Sequence, residues 1–114
     1  MSAITTHVLD LERGQPARGI PVRLELRSPD RGWVKLAERI TDDDGRVGDL
    51  LAAGGRPEAG RYRLTFETGE YFRARREPTF YPEVIVAFEV RDPAEHYHVP
   101  LLLSPFGYST YRGS

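Results

Sequence analysis

The stretch that governs the fold is residues 96–114, HYHVPLLLSPFGYSTYRGS. Its first half is an apolar run of strand length, and successive side chains of a strand point to opposite faces. His96 and His98 therefore share one face. If the other face packs into a core, the core side chains are Tyr97, Val99, Leu101 and Leu103.

The second half of the stretch predicts a turn followed by a last strand. Residues 104–107, SPFG, contain the proline and glycine typical of turns. The strand that follows covers residues 108–112, and the same alternation places Ser109 and Tyr111 on one face. The whole stretch therefore predicts two adjacent strands at the end of the chain.

The rest of the sequence is divided into short segments by nine prolines and eleven glycines, a spacing typical of all-β domains. Residues 68–76 are the one segment expected to be helical, ending before Pro78. A loop is expected at residues 52–60. With about eight strands, the sequence favours an antiparallel β-sandwich. The predicted strands are residues 4–11, 22–26, 33–40, 46–50, 62–67, 82–90, 97–103 and 108–112.

Length and composition limit the classes of function. A chain of 114 residues suits a single domain, 1–114. Sixteen basic and seventeen acidic residues give a net charge of -1, so a nucleic-acid partner is not expected. The absence of cysteine excludes disulfides and thiolate chemistry. Without a signal-peptide pattern or a membrane-length apolar run, a cytoplasmic protein that does not bind membranes is expected.

The chain has three histidines, His7, His96 and His98. In the first predicted strand, alternation groups His7 with Thr5 and Leu9. A face that carries Leu9 beside histidines is unusual for a monomer and indicates an interface or a ligand groove. Which face is the core cannot be read from alternation alone.

Several of these residues have simpler explanations. His96 is interpreted as an ordinary polar side chain near the start of its strand. His96 and His98 could also bind a metal, but no further ligand is obviously placed to complete such a site. The acidic segment 42–45, DDDG, lacks the ligand spacing of a calcium loop and predicts only a turn. Arg46 after that turn would by default be a solvated surface residue.

Three motifs resemble those of the 5-hydroxyisourate hydrolases in the transthyretin-like family. The most specific is residues 96–114, which is similar to the family's C-terminal signature. Residues 6–10, THVLD, followed by residues 13–17, RGQPA, resemble a second signature, and residues 44–46, DGR, resemble a third. Together they extend over the whole chain.

The resemblance implies a transthyretin-like (prealbumin-like) antiparallel β-sandwich of two four-stranded sheets with one short helix. It also implies a homotetramer, a dimer of dimers, whose active sites lie in a central channel. The catalytic positions of the family fall on His7, Arg46 and His98. Substrate-binding positions fall on Arg46, Ser109, Tyr111, Arg112, Gly113 and Ser114.

The implied reaction is hydrolysis of 5-hydroxyisourate to 2-oxo-4-hydroxy-4-carboxy-5-ureidoimidazoline, between urate and allantoin, without a metal or organic cofactor. Histidine, with an ordinary pKa of about 6.5, can take a proton from the attacking water. A neighbouring Arg46 would keep the base neutral and stabilise the developing oxyanion. The alternative is a transthyretin-like carrier that binds a small ligand without turnover. If the C-terminus builds the site, an extension there should impair activity more than an N-terminal one.

Overall fold

The computed structural model describes residues 3–52 and 55–114, so residues 53 and 54 of the predicted loop 52–60 lie outside the described residues. The described residues form nine strands and one helix. In chain order these are β1 (Ile4–Asp10), β2 (Gln15–Pro16), β3 (Pro21–Ser28), β4 (Gly32–Ile40), β5 (Arg46–Val47), β6 (Gly60–Phe66), α1 (Thr68–Ala74), β7 (Val84–Val90), β8 (Tyr97–Ser104) and β9 (Gly107–Thr110).

The strands form the two sheets of a sandwich. The first sheet has the order β2-β1-β8-β9, and β5 also pairs with β1; the second has the order β4-β3-β6-β7. The predicted all-β, transthyretin-like sandwich is confirmed. The first sheet has five strands rather than four, because it also contains the two-residue strand β2, which was not among the predicted strands.

One strand pair departs from the antiparallel pattern. β1 and β8 run parallel, with Ile4 opposite Tyr97 and Asp10 opposite Leu103. Parallel neighbours cannot be joined by a tight hairpin and need a long connection. Here the connection is most of the chain, including the whole second sheet. The first strand and the C-terminal block consequently lie side by side.

Burial settles which face of the first sheet is the core. The proposed inward residues of β8, from Tyr97 to Leu103, are at most 6% exposed. On β1, Ile4 and Val8 are fully buried, whereas His7 and Leu9 on the opposite face are only half-buried. The alternation predicted from sequence is confirmed, and both histidine-bearing strands direct His7 and His98 away from the core.

The last strand is shorter than the predicted 108–112, and the cause is Pro100. Leu101 pairs with Thr110, so the same register places Pro100 opposite Tyr111. Proline has no N–H to donate to the ladder, and β9 ends at Thr110. The register resumes beyond the gap, where His98 and Gly113 form an isolated bridge.

The other boundaries differ by one to three residues. The helix spans Thr68–Ala74 rather than 68–76, since Arg76 has a left-handed φ of 56° that no helix can continue. The short strand expected at 46–50 comprises only Arg46–Val47. Within residues 3–52 and 55–114, no helix is long and apolar enough to span a membrane.

The outer faces of the two sheets have different chemistry. On the second sheet, Arg63 donates a 2.7 Å hydrogen bond to Glu25 and its guanidinium lies 4.3 Å from the centre of the Trp33 ring. The hydrogen bond from Arg63 lowers the pKa of the Glu25 carboxyl. Arg23 and Arg63 on this face both pair with Glu25. The outer face of the first sheet instead carries Leu9 and Leu102 beside histidines.

The helix is tied to the first sheet by a buried polar contact. Tyr71 donates a 2.7 Å hydrogen bond to the carboxyl of Asp10, which also accepts the main-chain N–H groups of Glu12 and Arg13. Burial, followed by this hydrogen bond, raises the pKa of Tyr71 to about 12. The contact fixes the end of β1 and the turn that follows it.

We expect Tyr71→Phe to lower the free energy of unfolding by about 1–2 kcal/mol, because a buried acceptor loses one partner. Urea denaturation would measure the change. Tyr81→Phe is the matched control, since the Tyr81 phenol makes no hydrogen bond within the described residues. Equal stability of the two variants would contradict the assigned role of the Asp10 contact.

Candidate active site

The parallel pairing of β1 and β8 creates the site. Thr5 lies directly opposite His98 in the register, and both side chains border a cavity of about 140 Å³ on the outer face of the first sheet. Arg46, His96 and Ser114 line the same cavity. Residues from both ends of the chain and from one internal turn therefore meet at a single place.

Arg46 is held at the cavity by the acidic turn before it. One carboxylate oxygen of Asp42 accepts the main-chain N–H groups of Asp44 and Arg46, each at 2.9 Å. Gly45 adopts a left-handed φ of 74° and is buried against the main chain of Val8, where a side chain would collide. The predicted turn thus brings Arg46 opposite His7 in the β1–β5 pair.

The guanidinium of Arg46 is available for a ligand. Within residues 3–52 and 55–114 it makes no hydrogen bond and no ion pair, although its main-chain N–H is bonded to Asp42. An exposed arginine can donate paired hydrogen bonds to a planar acceptor. Arg46 can therefore serve as an anion or carbonyl ligand without first breaking an internal contact.

His7 is oriented by a main-chain acceptor. Its Nε2 lies 2.8 Å from the carbonyl oxygen of Asp44. A carbonyl can only accept, so Nε2 carries the proton in this contact. In the neutral ring the remaining nitrogen, Nδ1, presents a lone pair.

His98 occupies the more protected position. Its Nδ1 lies 2.8 Å from the Thr5 hydroxyl. Burial, followed by the positive charge of Arg46, lowers the pKa of His98, and His7 and His96 act in the same direction. At neutral pH a larger fraction of this imidazole is therefore uncharged and able to accept a proton.

The C-terminal tail covers one side of His98. The N–H of Gly113 donates a 2.8 Å hydrogen bond to the His98 carbonyl. A Cβ atom at position 113 would lie only 2.6 Å from Cδ2 of the His98 ring and 3.1 Å from Pro100. Only glycine fits this approach without displacing the imidazole, and it brings Ser114 to the cavity.

The remaining predicted substrate-binding residues lie apart from this cavity. Ser109 is exposed on β9, opposite Leu102. Tyr111 and Arg112 border a second depression of about 230 Å³ along β7 and β8, which His98 also lines. The Arg112 guanidinium is engaged by the Glu95 carboxylate at 2.8 Å.

Sequence reasoning missed two residues of the site. His96, interpreted as an ordinary polar side chain, lines the cavity, and its Nε2 lies 3.2 Å from the Thr5 hydroxyl. The available signal was the shared face of His96 and His98. For Thr5 the available signal was the face that it shares with His7, but its place beside His98 follows only from the pairing of β1 with β8. Among the described residues, no group of three or more acidic, histidine or cysteine side chains could hold a metal ion.

Comparison with known proteins agrees with the fold. A family model described as HIUase/Transthyretin family matches residues 4–113. A 5-hydroxyisourate hydrolase of Salmonella dublin is 47% identical over 115 residues, which is 97% of this chain and 80% of that protein.

Two solved structures extend the comparison. The 5-hydroxyisourate hydrolase of Klebsiella pneumoniae is 36% identical with a TM-score of 0.83, covering 97% of this chain and 92% of that one. The transthyretin of Sparus aurata is 30% identical with a TM-score of 0.91, and the match covers 99% of this chain and 97% of that one.

Fold and site together define a transthyretin-type sandwich with a histidine–arginine cavity on the outer face of one sheet. This combination contains the three motifs that extend over the chain, and the family match covers nearly all of it. The chain belongs to the HIUase/Transthyretin family.

We expect Arg46→Met to raise the pKa of His98 towards its ordinary value, because the variant removes a nearby positive charge. Since burial is the larger cause, the pKa should stay below that value. Titration of the imidazole protons by NMR would measure the shift. Arg61→Met, on the second sheet, is the control and should leave His98 unchanged. An unaltered His98 pKa in Arg46→Met would contradict the electrostatic contact.

Proposed function

We propose that this protein hydrolyses 5-hydroxyisourate to 2-oxo-4-hydroxy-4-carboxy-5-ureidoimidazoline, as a step of urate degradation in the cytoplasm. The observation that carries the proposal is the cavity in which His98, with its lowered pKa, faces the uncommitted guanidinium of Arg46. The substrate follows from the similar hydrolases of Salmonella dublin and Klebsiella pneumoniae.

The chemistry needs a base and a stabilised oxyanion. A water molecule transfers a proton to His98 while its oxygen attacks the ring carbonyl carbon. Arg46 stabilises the negative charge that develops on the carbonyl oxygen. When the tetrahedral intermediate collapses, the C–N bond breaks and the ring nitrogen receives the proton from His98. The ring opens to a carboxylic acid, and the imidazole is neutral again.

The two histidines receive different roles in this proposal. His98 is the base, because it is the more protected ring and its pKa is lowered. His7, with Nε2 bonded to the Asp44 carbonyl, binds and orients substrate or water through Nδ1. Gly113 and Ser114 shape the cavity. Ser109, Tyr111 and Arg112 remain proposed substrate-binding residues from motif resemblance, although they lie apart from the cavity.

We further propose that the chain acts as one domain and assembles as a homotetramer, a dimer of dimers. The outer face of the first sheet supports this assembly, because the half-buried Leu9 and Leu102 leave apolar area beside the site that no element of the described residues covers. Two such faces packed together would enclose a channel and exclude water from the cavities, which strengthens the electrostatic contacts within them.

We expect His7→Ala, Arg46→Met and His98→Ala each to lower the enzymatic decay rate of 5-hydroxyisourate by at least about a hundredfold, the usual contribution of a positioned acid–base or oxyanion group. The decay would be followed by absorbance after urate oxidation in situ. Arg61→Met is the control with an exposed arginine on the second sheet. Full activity in all three site variants would contradict the assignment.

The same assay distinguishes a hydrolase from a carrier. A transthyretin-like carrier would bind a small ligand in the unaltered protein without accelerating decay of 5-hydroxyisourate. That outcome would replace hydrolysis by transport as the function of the cavity. Uncommitted Arg46 and neutral His98 favour hydrolysis, because an apolar ligand needs neither a base nor an oxyanion partner.

We expect Leu102→Glu to shift the protein from four chains per particle to two, because like charges would meet across the packed first sheets. Light scattering coupled to size exclusion would measure the mass. Leu36→Glu introduces the same charge at an exposed position of β4 in the second sheet and should leave the tetramer intact. A tetramer in both variants would contradict this interface.

A further inference from the structure

The Thr5 hydroxyl lies between two imidazole rings, an arrangement that the proposed reaction does not use. Its oxygen is 2.8 Å from Nδ1 of His98 and 3.2 Å from Nε2 of His96. The two rings are nearly parallel, with 17° between their planes and 6.5 Å between their centres. Thr5 itself is only 5% exposed, so the three groups form a short chain that leads from the half-buried His98 to the exposed His96.

When both rings are neutral, the proton of the Thr5 hydroxyl has an acceptor in only two arrangements, because within the described residues this hydroxyl is hydrogen-bonded to the two rings alone. The hydroxyl has one proton to donate, and each bonded ring nitrogen carries either a proton or a lone pair. If Thr5 donates to His96, it must accept from His98, whose proton is then on Nδ1. If Thr5 donates to His98, it must accept from His96, and the proton of His98 is then on Nε2.

The surroundings of the rings favour the first arrangement. Within the described residues, Nε2 of His98 makes no hydrogen bond. A partly buried N–H without an acceptor is less tolerable than a lone pair without a donor. His96 is exposed, so water can accept from its Nδ1 while its Nε2 accepts from Thr5. In this arrangement the Nδ1–H of His98 donates to Thr5 and the Nδ1–H of His96 donates to water, so both N–H groups have an acceptor.

We propose that Thr5 and His96 fix His98 in the tautomer that carries its proton on Nδ1, which leaves the lone pair of Nε2 free to act as the base. Thr5 and His96 are positioning residues in this scheme, because they act through His98. The inference rests on the proposed function for its catalytic meaning. The tautomer itself can be observed without substrate.

Several charged and titratable groups lie near the hydrogen-bonded series His98–Thr5–His96. Arg46 and Ser114 line the cavity with it, and His7 lies near enough to affect His98 electrostatically. From the tail, Arg112 donates to the His96 carbonyl at 3.2 Å and to the adjacent Glu95 at 2.8 Å. Within residues 3–52 and 55–114, none of these groups makes a hydrogen bond to the Thr5 hydroxyl, so the two rings decide its orientation.

The test is the protonation of each His98 nitrogen, read from long-range nitrogen–proton NMR spectra of histidine-labelled protein. Only three histidines occur in the chain, and single variants assign them. In the unaltered protein we expect the proton on Nδ1. Thr5→Ser keeps the hydroxyl and should keep this tautomer. Thr5→Val, which has nearly the same shape without a hydroxyl, should give a mixture.

His96→Ala tests the second member of the chain. Without the acceptor on His96, the Thr5 hydroxyl can donate to His98, so the preference for Nδ1 should weaken and a larger share of His98 should carry its proton on Nε2. A His98 tautomer that is the same in the unaltered protein, Thr5→Val and His96→Ala would overturn the proposal. A proton on Nε2 in the unaltered protein would overturn it as well.

Kinetics separate positioning from a general loss of structure. Thr5→Val should lower kcat roughly tenfold, as expected for one lost hydrogen bond, with little change in KM because Thr5 is bonded to histidine rather than to substrate. Thr5→Ser should restore kcat. Thr6→Val is the matched control: its hydroxyl donates to the Val99 carbonyl on the core side, so the variant should lose stability but keep the His98 tautomer.

Failure of the proposed function has a different signature. If the unaltered protein does not accelerate decay of 5-hydroxyisourate, hydrolysis is wrong whatever the tautomer. If it does, and Thr5→Val retains full kcat while its tautomer changes, the tautomer does not govern the base and the inference is overturned. If Thr5→Val loses both kcat and the Nδ1 tautomer, and Thr5→Ser recovers both, the inference is supported.

Discussion

The parallel pairing of β1 and β8 is the constraint on which the rest of the structure depends. It places the first strand beside the C-terminal block, with seven consecutive residue pairs from Ile4–Tyr97 to Asp10–Leu103. The inward side chains of both strands are buried in the core, and the Thr6 hydroxyl donates to the Val99 carbonyl. Because a one-residue slip would exchange the faces of a strand, burial of the core side also fixes His98 beside Thr5 on the other side.

Strand identity and core faces could be predicted from sequence, whereas pairing could not. Alternation predicted that Tyr97, Val99 and Leu101 would be buried, since it depends only on neighbours along the chain. The parallel partner of β8 is more than eighty residues away, and no local pattern encodes it. The end of β9 was missed for the same reason, because the gap arises only where Pro100 stands opposite Tyr111.

In the site, too, some residues could be predicted from sequence and others depended on contacts between distant strands. His7, Arg46 and His98 were expected from motif resemblance, and the structure places Arg46 and His98 at one cavity with His7 opposite Arg46. The acidic segment 42–45 was predicted to form a turn, but its role in positioning Arg46 was not predicted. The Asp42 carboxylate accepts the main-chain N–H of Arg46 and so holds this residue at the cavity. His96 looked ordinary because its importance comes from the Thr5 hydroxyl, which reaches it from another strand.

The C-terminal tail explains how a small sandwich can hold a neutral histidine on its surface. A chain of this length has one core, and a side chain on the outer face of a sheet is normally well solvated. Here the Gly113 main chain packs against the His98 ring, and the absence of a side chain at 113 permits that approach. Because Pro100 interrupts the ladder, the tail can leave β9 and return to His98 through a single bridge. Pro100 and Gly113 therefore act together: the first ends the strand, and the second lets the chain shield the imidazole whose pKa burial lowers.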